Sequence, residues 1–483
     1  MTIDMLLAIT PQLMLSFGLV LGLLMIAWQR SQLHIQMLSQ AILIAALVLN
    51  IPLFTSEPMQ VTQLLKVDHY SAFAFVLIGI SSLVVVSLSR RLLTLTTEVH
   101  DEYYLLVLLV TLGASILVVS DHYASLFLGF ELLSIALVGL VGYVRSNEFA
   151  VETGFKYLIL SATASSFMLL GIAFIYSQTG QLNFTLVSLS PDSDIIMDSR
   201  LYSIGMLLFF AGVAFKLSLF PFHSWTPDVY QGSPTAITLL MATVSKVAMF
   251  VVLMKSWFAM GLSVSIEHEY LSQLISVVAV LSMVAGNTLA LFQQNIKRLL
   301  GYSSIAHMGY LLIILQITSM KDIDFAWQSA LFYLAAYVVA NLSLFTVLIV
   351  YNPNKEVALA SWKGMFWHNK PLAILVITAI LSLAGIPLTM GFIGKFYLLT
   401  FATQGNLWWL IGALIIGSGI GLFYYLRLLF TLFVDDGVVA VDKIGFSQQY
   451  PVTFFTQVLV FTLIFSGVFL GLFPDVISQL VVM

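Results

Sequence analysis

The sequence contains no cysteine, and only 9% of its 483 residues are charged. The absence of cysteine excludes disulfides and Cys-ligated iron–sulfur or structural zinc sites within this chain. The scarcity of charge excludes an ordinary soluble domain, in which about 25% of the residues are charged. The few charges nearly cancel, to a net charge of −4, so neither a nucleic-acid-binding surface nor a polybasic lipid anchor is indicated.

Hydrophobic residues make up 60% of the chain, and the mean hydropathy is +1.02. The apolar runs are long and continuous, and about 20 such residues form a helix that crosses a bilayer. We number the predicted spans 1 to 14; they are centred near Val20, Leu43, Ile78, Leu109, Ser134, Met168, Phe210, Thr243, Leu281, Leu312, Val338, Pro387, Leu422 and Phe461. The connections are short, so we predict an all-α polytopic membrane protein with a single membrane domain over residues 1–483.

Lysine and arginine residues in the connections predict the orientation, because cytoplasmic loops retain them. Counted from an outside N-terminus, ten basic residues fall on one side: Arg30, Arg90, Arg91, Arg145, Lys297, Arg298, Lys355, Lys363, Lys370 and Lys443. Four fall on the other side: Lys66, Arg200, Lys255 and Lys321. This imbalance predicts that both termini lie outside the cytoplasm, on the periplasmic side in a bacterium.

Five basic residues lie inside predicted spans, namely Lys156, Lys216, Lys246, Lys395 and Arg427. An ionisable group at the bilayer centre costs at least about 2.5 kcal/mol, so its presence requires a partner or a function. Lys156 and Arg427 lie near predicted cytoplasmic helix ends, where long side chains can extend to the lipid headgroups. The other three lysines lie nearer mid-span, which favours an ion pathway over a purely structural ion pair.

Two further side chains are candidates for the same pathway. Glu131 is the acid within span 5, and a nearby Glu would determine whether Lys216 holds its proton, since burial and an opposite charge shift a pKa in competing directions. His307 is a candidate relay because its unperturbed pKa lies near neutrality, with a helix-packing histidine as the alternative. His223 and Lys156 are further relay candidates.

Prolines interrupt the spans beside the lysines. In FKLSLFPFHSWTPDVYQGSPT (215–235), Pro221 lacks an N–H and crowds the carbonyl of Leu217, so the helix is expected to end just after Lys216 and leave carbonyls free. Ser233 and Pro234 are typical of an N-cap and first-turn proline, which predicts that the helix restarts there and carries Lys246.

A second interruption resembles the first. LSLAGIPL (381–388) echoes LSLFPF (217–222), and Lys395 follows its Pro387. These breaks fall in spans 7 and 12, which run in opposite directions because they are five spans apart. Broken helices at matching places predict two inverted five-helix repeats, residues 102–256 (spans 4 to 8) and 270–433 (spans 9 to 13).

The stretches 215–235 and LSLAGIPLTMGFIGKF (381–396), together with Glu131 and Lys246, resemble the antiporter-like subunits of respiratory complex I and of multi-subunit cation/proton antiporters. The resemblance covers essentially the whole chain. The stretch WTPDVYQGSP and the length favour the bacterial proton-translocating NADH:quinone oxidoreductases within that family. The resemblance to this family implies that Glu131 and Lys216 form a switching pair, that Lys246 connects the two halves of the protein and that Lys395 is the proton exit site.

The resemblance also implies the chain's surroundings. NADH oxidation and quinone reduction, with NADH, FMN, iron–sulfur clusters and quinone, would belong to partner subunits, and this chain would carry no cofactor or metal. Its partners would be other membrane subunits of complex I, including sibling antiporter-like subunits, and lipids, with no nucleic acid. The chain would be a multi-pass protein of the bacterial inner membrane that couples the redox reaction to proton export.

Two alternatives stay open from the sequence. The chain could be a subunit of a sodium/proton antiporter, driven by an ion gradient, or a structural spacer in which the charges only pair helices. A metabolite transporter is disfavoured, because no convergent set of polar groups of substrate size is evident. The G-x-G pattern in IIGSGIGLF (415–423) lies inside an apolar run, which favours close helix packing over a dinucleotide-binding loop.

Overall fold

The computed structural model describes residues 3–28, 30–93, 101–144, 148–184, 199–259, 266–316, 323–351, 358–434 and 454–482. Four of the basic residues used to predict the orientation lie outside these ranges, namely Arg145, Lys321, Lys355 and Lys443.

Long apolar helices make up most of the described chain. Spans 1 to 7 are the helices Thr10–Trp28, Gln32–Asn50, His69–Leu93, Asp101–Val119, Tyr123–Val141, Glu148–Thr179 and Ser199–Leu217. Spans 8 to 11 are Thr235–Ala259, Ile266–Leu291, Ile296–Gln316 and Ile323–Tyr351. Span 12 is the broken pair Lys370–Ala384 and Met390–Gln404, and spans 13 and 14 are Trp408–Phe433 and Phe454–Leu472.

Short elements fill some of the connections. They are the helices Ile3–Ala8, Ile51–Phe54, Trp225–Gly232, Leu359–Trp362, Met365–His368 and Asp475–Val482, and the antiparallel strands Met59–Gln60 and Lys66–Val67. Within the described ranges, thirteen helices are long and apolar enough to cross a membrane, and the broken pair supplies the fourteenth predicted span. The predicted all-α polytopic fold is therefore confirmed.

Spans 8, 10 and 11 form the centre of the bundle, since almost all of their residues are buried, whereas spans 1 and 14 are largely exposed. Lipid tails are as apolar as leucine, so close packing of small residues has to hold such helices together. Gly113 of span 4 faces the backbone of span 5, where an added Cβ would lie 2.7 Å from Leu133 N. Gly286 of span 9 meets Ala306 N of span 10 at the same distance.

The glycines of 415–423 also serve helix packing, as predicted. A Cβ at Gly417 would lie 3.0 Å from the Tyr310 hydroxyl, and one at Gly421 would lie 3.0 Å from Asn287 Oδ1. Gly419, between them, has open space around it. The two outer glycines therefore form the close-approach face of span 13.

Ion pairs join connections at each end of the bundle. At one end, Lys255 Nζ lies 3.2 Å from Asp68 Oδ2, and both side chains are largely buried. Burial acts to raise the pKa of Asp68, but the Lys255 ammonium and hydrogen bonds from Ser71 outweigh it and hold that pKa below its ordinary value. At the other end, Arg298 Nη1 lies 2.5 Å from Asp228 Oδ1. The end of span 8 and the start of span 10 thus lie at opposite ends of the bundle, as alternating spans require.

A line of buried lysines as the candidate functional site

Span 7 ends at Leu217, directly after Lys216. Ser218 has a φ of 62°, in the left-handed region, so the chain leaves the helix there. The carbonyls that the break exposes find polar partners: Leu217 O accepts from Lys246 Nζ at 2.8 Å, and Phe215 O accepts from Trp225 Nε1 at 3.0 Å. The predicted break, with carbonyls left for other groups, is confirmed.

The restart of the helix differs slightly from the prediction. Ser233 ends the short helix Trp225–Gly232, and Pro234 is the N-cap of span 8, which begins at Thr235. The prediction of Ser233 as N-cap was therefore wrong by one residue. Its hydroxyl bonds to Thr238 Oγ1 at 2.8 Å, so it closes the turn between the two helices without capping the second.

Lys216 is 1% exposed and lies among hydroxyls and aromatic rings. Its Nζ donates to Ser134 Oγ at 2.8 Å and to Tyr157 OH at 2.6 Å. The same nitrogen lies 5.1 Å from the ring centroid of Phe130 and 5.0 Å from that of Tyr157, within cation–π range. Neutral groups from spans 5 and 6 therefore hold this lysine.

Glu131 and Lys216 are near each other without touching. Both residues are described, and they form no ion pair within 4.0 Å, although the carboxylate acts electrostatically on the lysine. Glu131 lines a cavity of about 230 Å³ between spans 5 and 6, and its buried Oε1 has no hydrogen-bond partner. Ser134 lines the same cavity and also accepts a hydrogen bond from Lys216, so its side chain links the cavity that holds Glu131 to the lysine.

The sequence analysis missed Ser134 and Tyr157. For Ser134 there was a signal, because it lies three residues after Glu131 and so on the same face of span 5. For Tyr157 there was none, since the helices that bring it to Lys216 are adjacent only in the folded bundle. The chain contains 19 tyrosines, so residue type alone does not single it out.

Lys246 reaches back to the break in span 7. Besides Leu217 O, its Nζ donates to Ser218 Oγ at 2.8 Å, and Ser218 Oγ accepts from Thr226 Oγ1 at 2.6 Å. A turn of π-helix, Met241–Ser245, directly precedes Lys246 in span 8. Lys246 is therefore bound to Leu217, the residue that follows Lys216, and to Ser218 at the same break.

Lys395 binds a backbone carbonyl at the break in span 12, as Lys246 does at the break in span 7. The first half of this span ends at Ala384, Gly385 has a φ of 79°, and Lys395 Nζ donates to Ala384 O at 3.0 Å. A Cβ at position 385 would lie 2.7 Å from Lys395 Cδ, so glycine is needed for both the conformation and the space. The second predicted break is confirmed, and Gly385 ends the helix two residues before Pro387.

His307 lies between span 11 and span 13, near Lys395. Its Nδ1 is 2.6 Å from Tyr333 OH, and its Nε2 is 3.2 Å from Tyr425 OH. The charge of Lys395 acts electrostatically on the imidazole ring. Both ring nitrogens therefore have hydroxyl partners that the sequence analysis did not identify.

The other two relay candidates lie apart from the lysines. His223 is half-buried in the break, where its Nδ1 lies 3.2 Å from Pro221 O and its ring stacks on Phe220. The side chain of Lys156 is 52% exposed and pairs with Glu152 at 2.6 Å on the outside of span 6. Arg427, also exposed in part, donates to Leu291 O and Gln293 O at 2.9 Å each.

Lys216, Lys246 and Lys395 share one chemical feature. The Nζ atom of each of these lysines is bound by neutral oxygens. In the part of the chain that the structure describes, none of the three has a carboxylate within 4.0 Å. A buried ammonium without a close anion is weakly stabilised, so small changes around it decide whether it keeps its proton. Among the residues that the structure describes, no group of three His, Asp or Glu side chains could hold a metal ion.

Comparisons with known proteins identify the family and the fold of the chain. The family model described as NADH:quinone oxidoreductase/Mrp antiporter, TM, matches residues 120–421. A chain in a structure of respiratory complex I from Thermus thermophilus with bound aureothin is 28% identical, with a TM-score of 0.82, and the match covers 97% of this chain and 99% of that chain.

Two other structures share the fold at lower identity. A chain of the archaeal membrane-bound sulfane sulfur reductase is 22% identical, with a TM-score of 0.81 and coverage of 99% of this chain and 96% of that chain. A chain of the Mrp complex from Dietzia sp. DQ12-45-1b is 18% identical, with a TM-score of 0.81 and coverage of 100% and 96%. The family model covers more than half of the sequence, and the chain belongs to the antiporter-like membrane subunits of the NADH:quinone oxidoreductase/Mrp antiporter family.

Proposed function

We propose that this chain is a proton-translocating membrane-arm subunit, of the N type, of a bacterial NADH:quinone oxidoreductase. The observation that carries the proposal is the burial of Lys216, Lys246 and Lys395 at two helix breaks, where neutral oxygens bind each Nζ. The likeness to a complex I chain over 97% of the sequence, at 28% identity, supports a membrane subunit of this kind. The stretch WTPDVYQGSP is the reason for proposing the redox-driven complex over the antiporter. NADH oxidation and quinone reduction then occur in other subunits, and this chain conducts protons.

The proposed path follows the buried groups. A proton enters from the cytoplasm near the span 7 break and resides on Lys216 while the charge of Glu131 stabilises it. A movement in a neighbouring subunit separates the pair, and Lys216 releases its proton toward Lys246, which is bound at the next residue of the chain, Leu217. The proton then passes by His307 to Lys395 and leaves on the periplasmic side.

The two halves of the path correspond to the proposed inverted repeats, residues 102–256 and 270–433. Support comes from matching local structures in the first two spans of each repeat, spans 4 and 5 and spans 9 and 10. His122 caps span 5 through Nδ1, and Asn295 caps span 10 through Oδ1. The separation along the chain from His122 to Asn295 equals that from the packing glycine Gly113 to its counterpart Gly286.

The proposal includes the surroundings of the chain. It places both termini on the periplasmic side of the inner membrane and gives the chain sibling antiporter-like subunits and lipids as neighbours. The three similar structures are all of complexes, which supports partners of this kind.

The test is NADH-driven acidification of inverted membrane vesicles that carry Lys216→Ala, normalised to electron input measured with an artificial acceptor. We expect acidification per electron to be lost while electron input continues. Lys156→Ala is the matched control, because Lys156 is exposed and lies apart from the path. Normal acidification by the Lys216 variant would contradict the proposal. Sodium-dependent growth of a deletion strain at high pH, with normal NADH-driven pumping, would show the sodium/proton antiporter instead.

A further inference from the structure

The surroundings of His307 form a continuous chain of hydrogen-bonding groups. Nδ1 meets Tyr333 OH at 2.6 Å, Nε2 meets Tyr425 OH at 3.2 Å, and Tyr425 OH lies 2.5 Å from Ser303 Oγ. All four side chains are buried. Three helices, spans 10, 11 and 13, therefore contribute to one continuous sequence of groups, Ser303, Tyr425, His307 and Tyr333. The hydroxyl of Tyr424 is a side branch of this sequence, at Tyr425 and Ser303.

One end of this chain lies beside the break in span 12, because the backbone and ring of Tyr333 pack on Gly394, the residue before Lys395. At the other end, Gly301, two residues before Ser303 in span 10, packs against Pro227 and Tyr230 of the short helix Trp225–Gly232. The Tyr333 end of the chain of groups is therefore the end next to Lys395.

The hydrogen bonds of a neutral imidazole fix the direction of the whole chain. One ring nitrogen donates and the other accepts, and each hydroxyl carries one hydrogen. If Nδ1 carries the hydrogen, it donates to Tyr333, while Tyr425 donates to Nε2 and Ser303 donates to Tyr425. If Nε2 carries it, every one of these bonds reverses. The four groups therefore have two arrangements of opposite polarity.

We propose that Tyr425 and Tyr333 carry the proton on either side of His307, so that Ser303, Tyr425, His307 and Tyr333 form a wire that delivers one proton at a time toward Lys395. This inference rests on the proposed function. A proton that reaches Ser303 displaces the serine hydrogen onto Tyr425, the tyrosine hydrogen onto Nε2, the Nδ1 hydrogen onto Tyr333, and the Tyr333 hydrogen onward. One proton enters, one leaves, and the polarity is reversed.

The reversal limits the wire to single steps. After one transfer Nδ1 has no hydrogen to give, so a second proton cannot follow in the same direction until the hydroxyls turn and the ring exchanges its tautomer. Such a wire opposes a continuous leak through the second half of the protein, which a permanent file of freely turning water molecules would allow.

A neighbouring tyrosine supplies the matched control variant. Tyr337 lies one turn after Tyr333 in span 11, and its hydroxyl donates to Ser304 Oγ at 2.8 Å. It is buried and does not bond to His307. Tyr337→Phe therefore removes a hydroxyl from the same region without interrupting the wire.

The experiment is NADH-driven acidification per electron in vesicles that carry the assembled complex. We expect Tyr425→Phe and Tyr333→Phe each to lower this ratio at least about tenfold, since a positioned proton-transfer group contributes 10² or more, while Tyr337→Phe stays within about twofold. Normal ratios in Tyr425→Phe and Tyr333→Phe would overturn the wire. If Lys216→Ala still abolishes acidification in that case, the proposed function stands and only the wire fails; if Lys216→Ala is also normal, both fail.

Two further variants separate proton transfer from packing. His307→Asn places an amide near Nδ1 and His307→Gln places one near Nε2, so each can keep one hydrogen bond, but neither can pass a proton through a ring. We expect both to assemble and neither to acidify the vesicles. Acidification by either variant would show that His307 only holds the helices together. Where a tyrosine variant fails to assemble on a native gel, Ser303→Ala interrupts the same wire at its end and is expected to give the same tenfold loss; a normal ratio there would overturn the wire.

Discussion

Lys216 Nζ donates to Ser134 Oγ at 2.8 Å, and Ser134 in turn donates to Phe130 O of its own helix at 2.6 Å. The hydroxyl hydrogen of Ser134 is thus donated to its own helix, and the lone pairs of the hydroxyl oxygen accept from Lys216. A hydroxyl held in this way is a pure acceptor for an ammonium group. It binds the lysine without the strong charge pairing of a carboxylate, so a modest change nearby can release the proton.

The first prediction concerns this hydroxyl. Ser134→Ala removes one of the two hydrogen bonds to Lys216 and is expected to lower acidification per electron about tenfold, since a hydrogen bond to a charged group is worth about 1.5–3 kcal/mol. Ser165→Ala is the matched control, because Ser165 lines the same cavity but bonds to Ser161 O. Inverted vesicles driven by NADH give the measurement. Equal ratios in the two variants would show that Lys216 needs no hydroxyl from span 5.

The sequence predicted the parts of this site that are costly in a membrane. Lys216, Lys246 and Lys395 stood out because each is a charge inside an apolar run, and Pro221 and Pro387 stood out because each ends a helix. Ser134, Tyr333 and Tyr425 did not stand out, because hydroxyl groups are tolerated in spans. Their place in the proposed path depends on contact between helices far apart in the chain, which a single sequence does not reveal.

The spans of the fold were predictable from the sequence, whereas some local details were not. Continuous apolar runs specified all fourteen spans, since only helices satisfy their backbone in lipid. The exact restart of span 8 at Thr235 was missed, because a serine before a proline fits an N-cap and a turn equally well. The position of Glu131 beside a cavity, out of direct contact with Lys216, depends on how spans 5 and 6 pack.

The second prediction concerns helix packing. Gly286→Ala places a Cβ 2.7 Å from the backbone nitrogen of Ala306, and backbone cannot move aside as a side chain can. We expect a loss of about 1–3 kcal/mol in the free energy of unfolding. Gly419→Ala is the control, since nothing lies within 4 Å of its added Cβ. Thermal unfolding of the detergent-solubilised complex, followed by a fluorescent tag on this chain, compares them. A midpoint for Gly286→Ala equal to that of Gly419→Ala would contradict the close approach.

The third prediction concerns the ion pair between Asp68 and Lys255. Asp68→Asn leaves the Lys255 ammonium largely buried without its anion, and removing one partner of a buried pair costs about 3–5 kcal/mol. The double variant Asp68→Asn with Lys255→Met removes both charges and is expected to be more stable than Asp68→Asn alone. The same thermal unfolding assay measures the three proteins. A double variant less stable than the single one would show that the two residues contribute independently.

The fourth prediction is a pH dependence at the start of the span that carries Glu131. His122 Nδ1 accepts from Ala124 N at 3.0 Å and so caps span 5. Burial lowers the pKa of His122, and the neighbouring Asp121 only partly opposes this effect. The folded protein therefore binds fewer protons than the unfolded one, and stability rises with pH in that window. The cap is complete above the unfolded pKa of about 6.5 and is lost as pH falls through the lower folded value.

Asparagine provides the matched test of this cap. Asn295 caps span 10 by accepting from Lys297 N at 2.9 Å with a side chain that does not titrate. We expect His122→Asn to keep the cap and to lose the part of the pH dependence that His122 contributes, whereas His122→Ala should be less stable than His122→Asn at every pH by about 1 kcal/mol. Unfolding midpoints between pH 8 and pH 5 give the comparison. Parallel pH profiles for the unsubstituted protein and His122→Asn would mean that protonation of His122 does not release the start of span 5.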